Sequence, residues 1–186
     1  MTNIYHGILN IPVEFIPIFP KEPPRYITPY NLTSSDKELV DWLNSLNLKV
    51  KKILLFYMDP DRVEVGTPHV DSNVMYDNQV KINFVYSTAP SIMRWYQPKQ
   101  GVDVRIQTEH TMLAHPYLGA NADDIEIVHT AQIGTPSLVN VGQLHDIANV
   151  TAPRYCFSFI LAHSNQYKPL YWDEAVIIFK DYLTLC

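Results

Sequence analysis

The stretch RYCFSFILAH, residues 154–163, begins directly after Pro153 and is dominated by aromatic and aliphatic side chains. Its length, its aromatic content and the proline at its head read as a buried strand. Five further segments share its character: KKILLFYM (51–58), VKINFVY (80–86), IMRWYQ (92–97), DIEIVHTAQI (124–133) and SLVNV (137–141). All are short and separated by Pro, Gly, Asn or Asp. A series of such strands predicts a mainly β fold of the sandwich or jelly-roll kind. The scarcity of glycine (6) against proline (14) suits a sheet-rich chain with rigid turns.

The flanks of this series carry different signals. In SSDKELVDWLNSLNL, Ser35 and Glu38 fit a capping box, and Leu39, Leu43 and Leu46 then fall on one helical face. The spacing predicts a helix over 36–46. Before it, IPVEFIPIF (11–19) reads as an edge or entry strand, because Pro12 and Pro17 cannot donate to a ladder. Residues 98–122 lack clear periodicity and read as a loop or lid with a short helical turn. At the other end, WDEAVIIFKDYL places Ala175, Ile178, Phe179 and Tyr182 at helical spacing, while the apolar run Val176–Phe179 keeps a final strand open. The 186 residues thus predict one domain, with an N-terminal region over 1–50, a jelly-roll core over 51–163 and a closing segment over 164–186.

Charge and composition narrow the classes of function. The formal net charge is −5, and KVKK (49–52) reads as solvated strand rather than a phosphate site, so no nucleic-acid partner is expected. No apolar run is long enough for a membrane span, and the N-terminus does not have the pattern of a signal peptide. Two cysteines, Cys156 and Cys186, do not form a disulfide framework, and Cys156 reads as a buried thiol. The expectation is a cytoplasmic protein.

Polar residues at strand ends suggest the chemistry. His69 and Asp71 lie two residues apart, so on extended backbone both side chains project to the same side and can meet one cation. His145 follows a strand, beyond Gly142, and Arg154 heads the next one. If those strands are antiparallel neighbours in one barrel, His145 and Arg154 can enter the same cavity, and the set becomes His69, Asp71, His145 and Arg154. Two imidazoles and one carboxylate on one face of Fe(II) leave three positions open, enough for a bidentate 2-oxo acid and O₂. The remote carboxylate of such a cosubstrate needs a cation in a dry pocket, and arginine provides a planar fork for it.

In that order and spacing, HVD at 69–71, His145 and RYCFSF from Arg154 resemble the Fe(II)/2-oxoglutarate-dependent dioxygenases, a family with a double-stranded β-helix core. The lead-in ILLFYMDPDRVEVGTPHVD and the segments VKINFVY and MRWY resemble that family's strands across 53–161, most closely in the aspartyl/asparaginyl and prolyl hydroxylase-like branch. The resemblance implies His69, Asp71 and His145 as iron ligands and Arg154 as partner of the distal carboxylate of 2-oxoglutarate. It implies further cosubstrate contacts from Asn83, from Lys81 on the same strand face, from the Tyr57 hydroxyl and from Ser158. Some members have a hydroxyl residue two positions after the arginine, where this chain has Cys156. The implied reaction decarboxylates 2-oxoglutarate to succinate and CO₂ and hydroxylates a C–H bond of an amino-acid-like or peptidyl substrate.

Simpler readings stand beside each of these. His69 and Asp71 could form a surface turn, His145 could be a loop histidine, Arg154 a surface charge and Asn83 a satisfied strand residue. His110 and His115, five positions apart, share a helix face poorly and read as lid or surface residues. His129 reads as a core or rim histidine of its strand. A second class of function is a jelly-roll binding protein that keeps the pocket without turnover.

Overall fold

The computed structural model describes residues 4–25, 27–62, 68–71, 77–104, 106–110, 116–134, 136–165 and 168–186. Strands β1 (His6–Leu9) and β2 (Thr28–Tyr30) precede helix α1 (Lys37–Ser45). The central series is β3 (Leu48–Met58), β4 (His69–Val70), β5 (Val80–Ser87), β6 (Ser91–Pro98), β7 (Ile106–His110), β8 (Pro116–Ala120), β9 (Ile125–Ile133), β10 (Ser137–Asn140), β11 (His145–Ala148) and β12 (Arg154–His163). Helix α2 (Trp172–Ile178) and strand β13 (Leu183–Leu185) close the described chain.

The strands form two antiparallel sheets that do not close on one another. One has seven strands in the order β13-β1-β10-β5-β12-β3-β2, the other six in the order β7-β8-β4-β11-β6-β9. From β3 to β6, and again from β9 to β12, successive strands go to opposite sheets.

The sequence pattern explains this layering. Along β5, Val80, Ile82 and Phe84 alternate with Lys81, Asn83 and Val85, so each set occupies one face. The first set joins Phe157 and Phe159 of β12 in a core that also takes Leu39, Trp42 and Leu43 of α1 and Trp172 and Ala175 of α2. Each aromatic buried there contributes on the order of 2–3 kcal/mol. The opposite face of β5 looks between the sheets. There Val85 and Cys156 pack with Met93 and Trp95 of β6, Ile133 of β9 and Val139 of β10. A third, smaller cluster on the six-stranded sheet holds Val70, Tyr96, Ala120, Ile125 and Leu144.

Several expectations change in detail. The helix forms over Lys37–Ser45, but its lead-in is a 3-10 turn over Ser34–Asp36, and the reciprocal cap joins Thr33 and Asp36 rather than Ser35 and Glu38. The Thr33 N–H donates to Asp36 Oδ2 at 2.7 Å, so the carboxylate one turn in satisfies the orphan amide. IPVEFIPIF belongs to no strand; the nearest strand before it is HGIL at 6–9, which is paired on both sides, with β10 and with β13. The proline-rich segment instead packs through its side chains, Phe15 lying edge-on to Phe84, Phe157 and Phe159. Within 98–122 the chain forms the hairpin β7–β8, which extends the six-stranded sheet beside β4, followed by a 3-10 turn over Ala122–Asp124. At the end of the chain the run from Val176 is helical, within α2 and its cap at Phe179, so the strand alternative for it does not hold; the short β13 lies beyond it. Among the described residues no helix is long and apolar enough to cross a membrane.

Candidate metal centre

β4 and β11 run antiparallel in the six-stranded sheet, with His69 and His145 directly opposite one another. Facing pairs in an antiparallel ladder project to the same side, so the two imidazoles meet, with ring centroids 4.8 Å apart. Asp71 follows β4 immediately, and its backbone N–H donates to the Val141 carbonyl at 2.9 Å, which ties the residue to the chain leading into β11. The carboxylate turns back between the rings: Oδ1 is 3.4 Å from His69 Nε2, and Oδ2 is 3.9 Å from His145 Nε2. One donor atom from each residue lies within 4.8 Å of the others. Residues 76 positions apart thus converge, as their order in the sequence predicts.

The electrostatics suit a cation. His145 is buried and its Nδ1 lies 2.8 Å from the Gln143 carbonyl, so Nδ1–H donates there and the Nε2 lone pair faces Asp71. Burial, reinforced by His69, lowers the His145 pKa to about 4 and keeps the ring neutral as a ligand. Burial acts to raise the Asp71 pKa, but the Lys81 charge, the His69 hydrogen bond and the histidine charges outweigh it and hold the carboxyl well below its ordinary value. The donor set therefore presents an anionic oxygen and imidazole nitrogens, all suited to a divalent transition metal.

The remaining candidate residues divide. Arg154 opens β12 opposite Met58 and Ser87 and is only 2% exposed. Its Nε donates to Ser91 Oγ at 2.8 Å, and Nη1 lies 3.9 Å from Met58 Sδ. Among the described residues no carboxylate pairs with it. Cys156, two residues along the same face, is buried, and burial raises its pKa against the pull of the Arg154 and Lys81 charges. Lys81 reaches Asp71 rather than lying apart as a separate contact: Nζ donates to Oδ2 at 2.7 Å. Asn83 and Ser158 face each other in register, the Ser158 hydroxyl donating to Asn83 Oδ1 at 2.7 Å, both buried between the sheets. Tyr57 is not brought to the site. It lies beside Tyr155 with ring centroids 4.8 Å apart, on the strand face opposite to Arg154 and Met58.

Sequence reasoning missed Ser91, Gln143 and a brace behind the centre. Arg94 grips Asp146 through Nε at 2.8 Å and through Nη2, and the Tyr96 hydroxyl donates to Asp146 Oδ2 at 2.9 Å. The Arg94–Asp146 pair spans β6 and β11 on the face opposite to His145, which anchors the distal ligand's strand. An HD dipeptide at a strand start was the available signal, since the second residue there must face away from the first. Of the other histidines, His115 lies outside the described residues and His110 is in β7. His129 stacks on Tyr5 at 5.3 Å in the core region, as its strand position suggests.

Comparison with family models, with curated proteins and with solved structures returns no match for this chain, so the centre is argued from its own geometry.

Proposed function

We propose that the protein is a non-haem Fe(II) and 2-oxoglutarate-dependent oxygenase built on a jelly-roll (double-stranded β-helix) core, acting on an amino-acid-like or peptidyl C–H bond. The observation that carries this reading is the convergence of His69, Asp71 and His145 within 4.8 Å. Two imidazoles and one carboxylate on one side of an ion leave coordination positions open, the arrangement suited to Fe(II) oxygen chemistry. The strand order supports the fold reading: β3, β12, β5 and β10 lie adjacent in one sheet, β4, β11, β6 and β9 in the other.

Arg154 supports the cosubstrate. A buried guanidinium without a carboxylate partner is costly, and the distal carboxylate of a 2-oxo diacid would neutralise it. Ser91 fixes its orientation through Nε and leaves the outer guanidinium nitrogens for a bidentate ligand. His145 is locked by Gln143 in the tautomer that offers Nε2. Bound Fe(II) and 2-oxoglutarate would supply the oxidising chemistry, releasing succinate and CO₂ while one oxygen atom of O₂ enters the substrate C–H bond. The chain's own share is to hold the ligands, orient the diacid and exclude water, which the apolar packing of Val85, Met93 and Trp95 between the sheets promotes.

A second reading rests on Lys81, whose ammonium already balances Asp71 and lets the cavity persist without metal, as in a binding protein. One experiment separates the two. Anaerobic addition of Fe(II) and 2-oxoglutarate is expected to give a visible charge-transfer band that disappears in Asp71→Ala, with succinate formed on admitting air. A band of equal strength in Asp71→Ala and His145→Ala rejects the site; absence of both band and succinate in the wild type favours the binding protein.

A further inference from the structure

The Lys81–Asp71 contact has no role in the reaction just described, yet it sits at the heart of the centre. Lys81 projects from the middle of the seven-stranded sheet across to the six-stranded one and is 3% exposed. Its ammonium lies 2.7 Å from Asp71 Oδ2, while Oδ1 is the oxygen turned toward His69 Nε2, 3.4 Å away. Oδ2 thus accepts from a buried ammonium, although it also lies 3.9 Å from His145 Nε2, and Oδ1 is the oxygen without a lysine on it. Resting on the metal-centre reading, we propose that Lys81 is a positioning residue that restricts Asp71 to one-oxygen ligation and charges the loaded centre so that it selects a doubly negative chelating ligand over a singly negative one.

The reason lies in a charge count at a centre where Lys81 and His145 are buried and His69 and Asp71 are partly exposed. Asp71 and Lys81 cancel, and the histidines coordinate as neutral imidazoles. Leaving aside Arg154, whose charge is the same with and without Lys81, a divalent metal then leaves the centre with two uncompensated positive charges. A singly negative chelator neutralises one of them; a doubly negative chelator neutralises both, and burying residual charge is unfavourable. If Lys81 were absent, the same metal would leave one positive charge, and a singly negative chelator would suffice. The lysine therefore weakens metal binding by itself and strengthens the coupling between metal and dianion. Its place on β5, level with Val139 in the middle of the sheet, fixes the backbone from which the buried side chain reaches Asp71.

The test uses Mn(II) with two chelators shorter than 2-oxoglutarate, oxalate (doubly negative) and glyoxylate (singly negative). Calorimetric titration of the metal-free full chain gives Mn(II) affinity alone and with each chelator. Lys81→Gln keeps an N–H donor for Asp71 but removes the charge. It is expected to bind Mn(II) alone about tenfold more tightly and to lose the advantage of oxalate over glyoxylate by about the same factor, within the range for removal of a like charge a few ångströms away. Lys81→Arg, which keeps the charge, is expected to behave as wild type. Should Lys81→Gln not fold, Lys81→Met is read in the same way. Unchanged or weaker Mn(II) affinity in the uncharged variant, or an undiminished oxalate advantage, overturns the proposal while leaving the metal centre standing. Mn(II) binding that is absent in wild type, or equal in Asp71→Ala, removes the centre and this inference together.

Discussion

A guanidinium buried to 2% exposure, oriented by one serine and one thioether, is an expensive arrangement for a side chain that the solvent would otherwise hydrate. Arg154 makes sense if an anion completes it. Replacing it by alanine is expected to weaken 2-oxoglutarate binding by about 2–3 kcal/mol, roughly 30- to 150-fold, the usual value of a charge-assisted pair in a dry pocket. Fe(II) binding should change little. Equal 2-oxoglutarate affinity in Arg154→Ala, measured by titration of the charge-transfer band, removes the residue from the site. At this scale the sequence was informative about residue types and their order: two histidines, one aspartate and one arginine at strand ends. It was silent about partners across the cavity. Nothing local to Lys81 indicates that it meets Asp71, and nothing local to Ser91 indicates that it meets Arg154, because both contacts depend on how two sheets face one another.

Elements differ in how far their own residues define them. β3, β5, β6 and β12 are long apolar runs bounded by turn residues, and each was legible. β11 has four residues, HDIA, and β4 only two. Neither has a pattern of its own; each exists because neighbouring strands supply its ladder. The hairpin β7–β8 was read as a loop for the same reason, since IQTEH and PYLGA lack a continuous apolar face. The link between β10 and β11 shows what positions a short strand. Gly142 lies against the turn at Asp77–Gln79, where Asn78 adopts a left-handed φ of 57°. A β-carbon at 142 would overlap the Asp77 carboxylate and stand 2.7 Å from the backbone nitrogens of Asn78 and Gln79. Asn78 Oδ1 in turn accepts from Gln143 Nε2 at 2.6 Å, and the Gln143 carbonyl holds His145. Gly142→Ala is therefore expected to cost about 2 kcal/mol of stability through overpacking against backbone. It should weaken Mn(II) binding at the same time, because the displaced segment carries His145, the proposed distal ligand. Chemical denaturation and metal titration of this one variant check both effects; loss of stability with unchanged metal affinity would show that His145 is positioned by other means, such as the Arg94–Asp146 brace.

For the molecule as a whole, the two sheets are held together on the side of β1 by a cluster of rings. His6 is buried beside Trp95 at 6.3 Å, and His129 packs against both Trp95 and Tyr5. Burial, with repulsion from His129, lowers the His6 pKa from 6.5 to about 4, and burial lowers that of His129 as well. The folded protein keeps His6 neutral where the unfolded chain would protonate it, so unfolding takes up a proton between those values. Stability is then full above pH 6.5, falls as pH drops toward 4, and levels off below, with His6 accounting for at most about 3 kcal/mol. In metal-free protein, His145 adds a loss in the same window. His6→Phe is expected to flatten part of this slope in urea denaturation measured from pH 7 to pH 4; an unchanged slope would mean that His6 does not carry it.

The same sheet order has a consequence during biosynthesis. β12 is seated between β3 and β5, yet about a hundred residues of chain separate it from the first of these neighbours. On the ribosome, therefore, two greasy ribbons emerge long before the piece that zips them together. Until it arrives, their bare flanks are open to the wrong partner, the situation in which nascent chains enlist chaperones and in which overexpression in bacteria drives material into inclusion bodies.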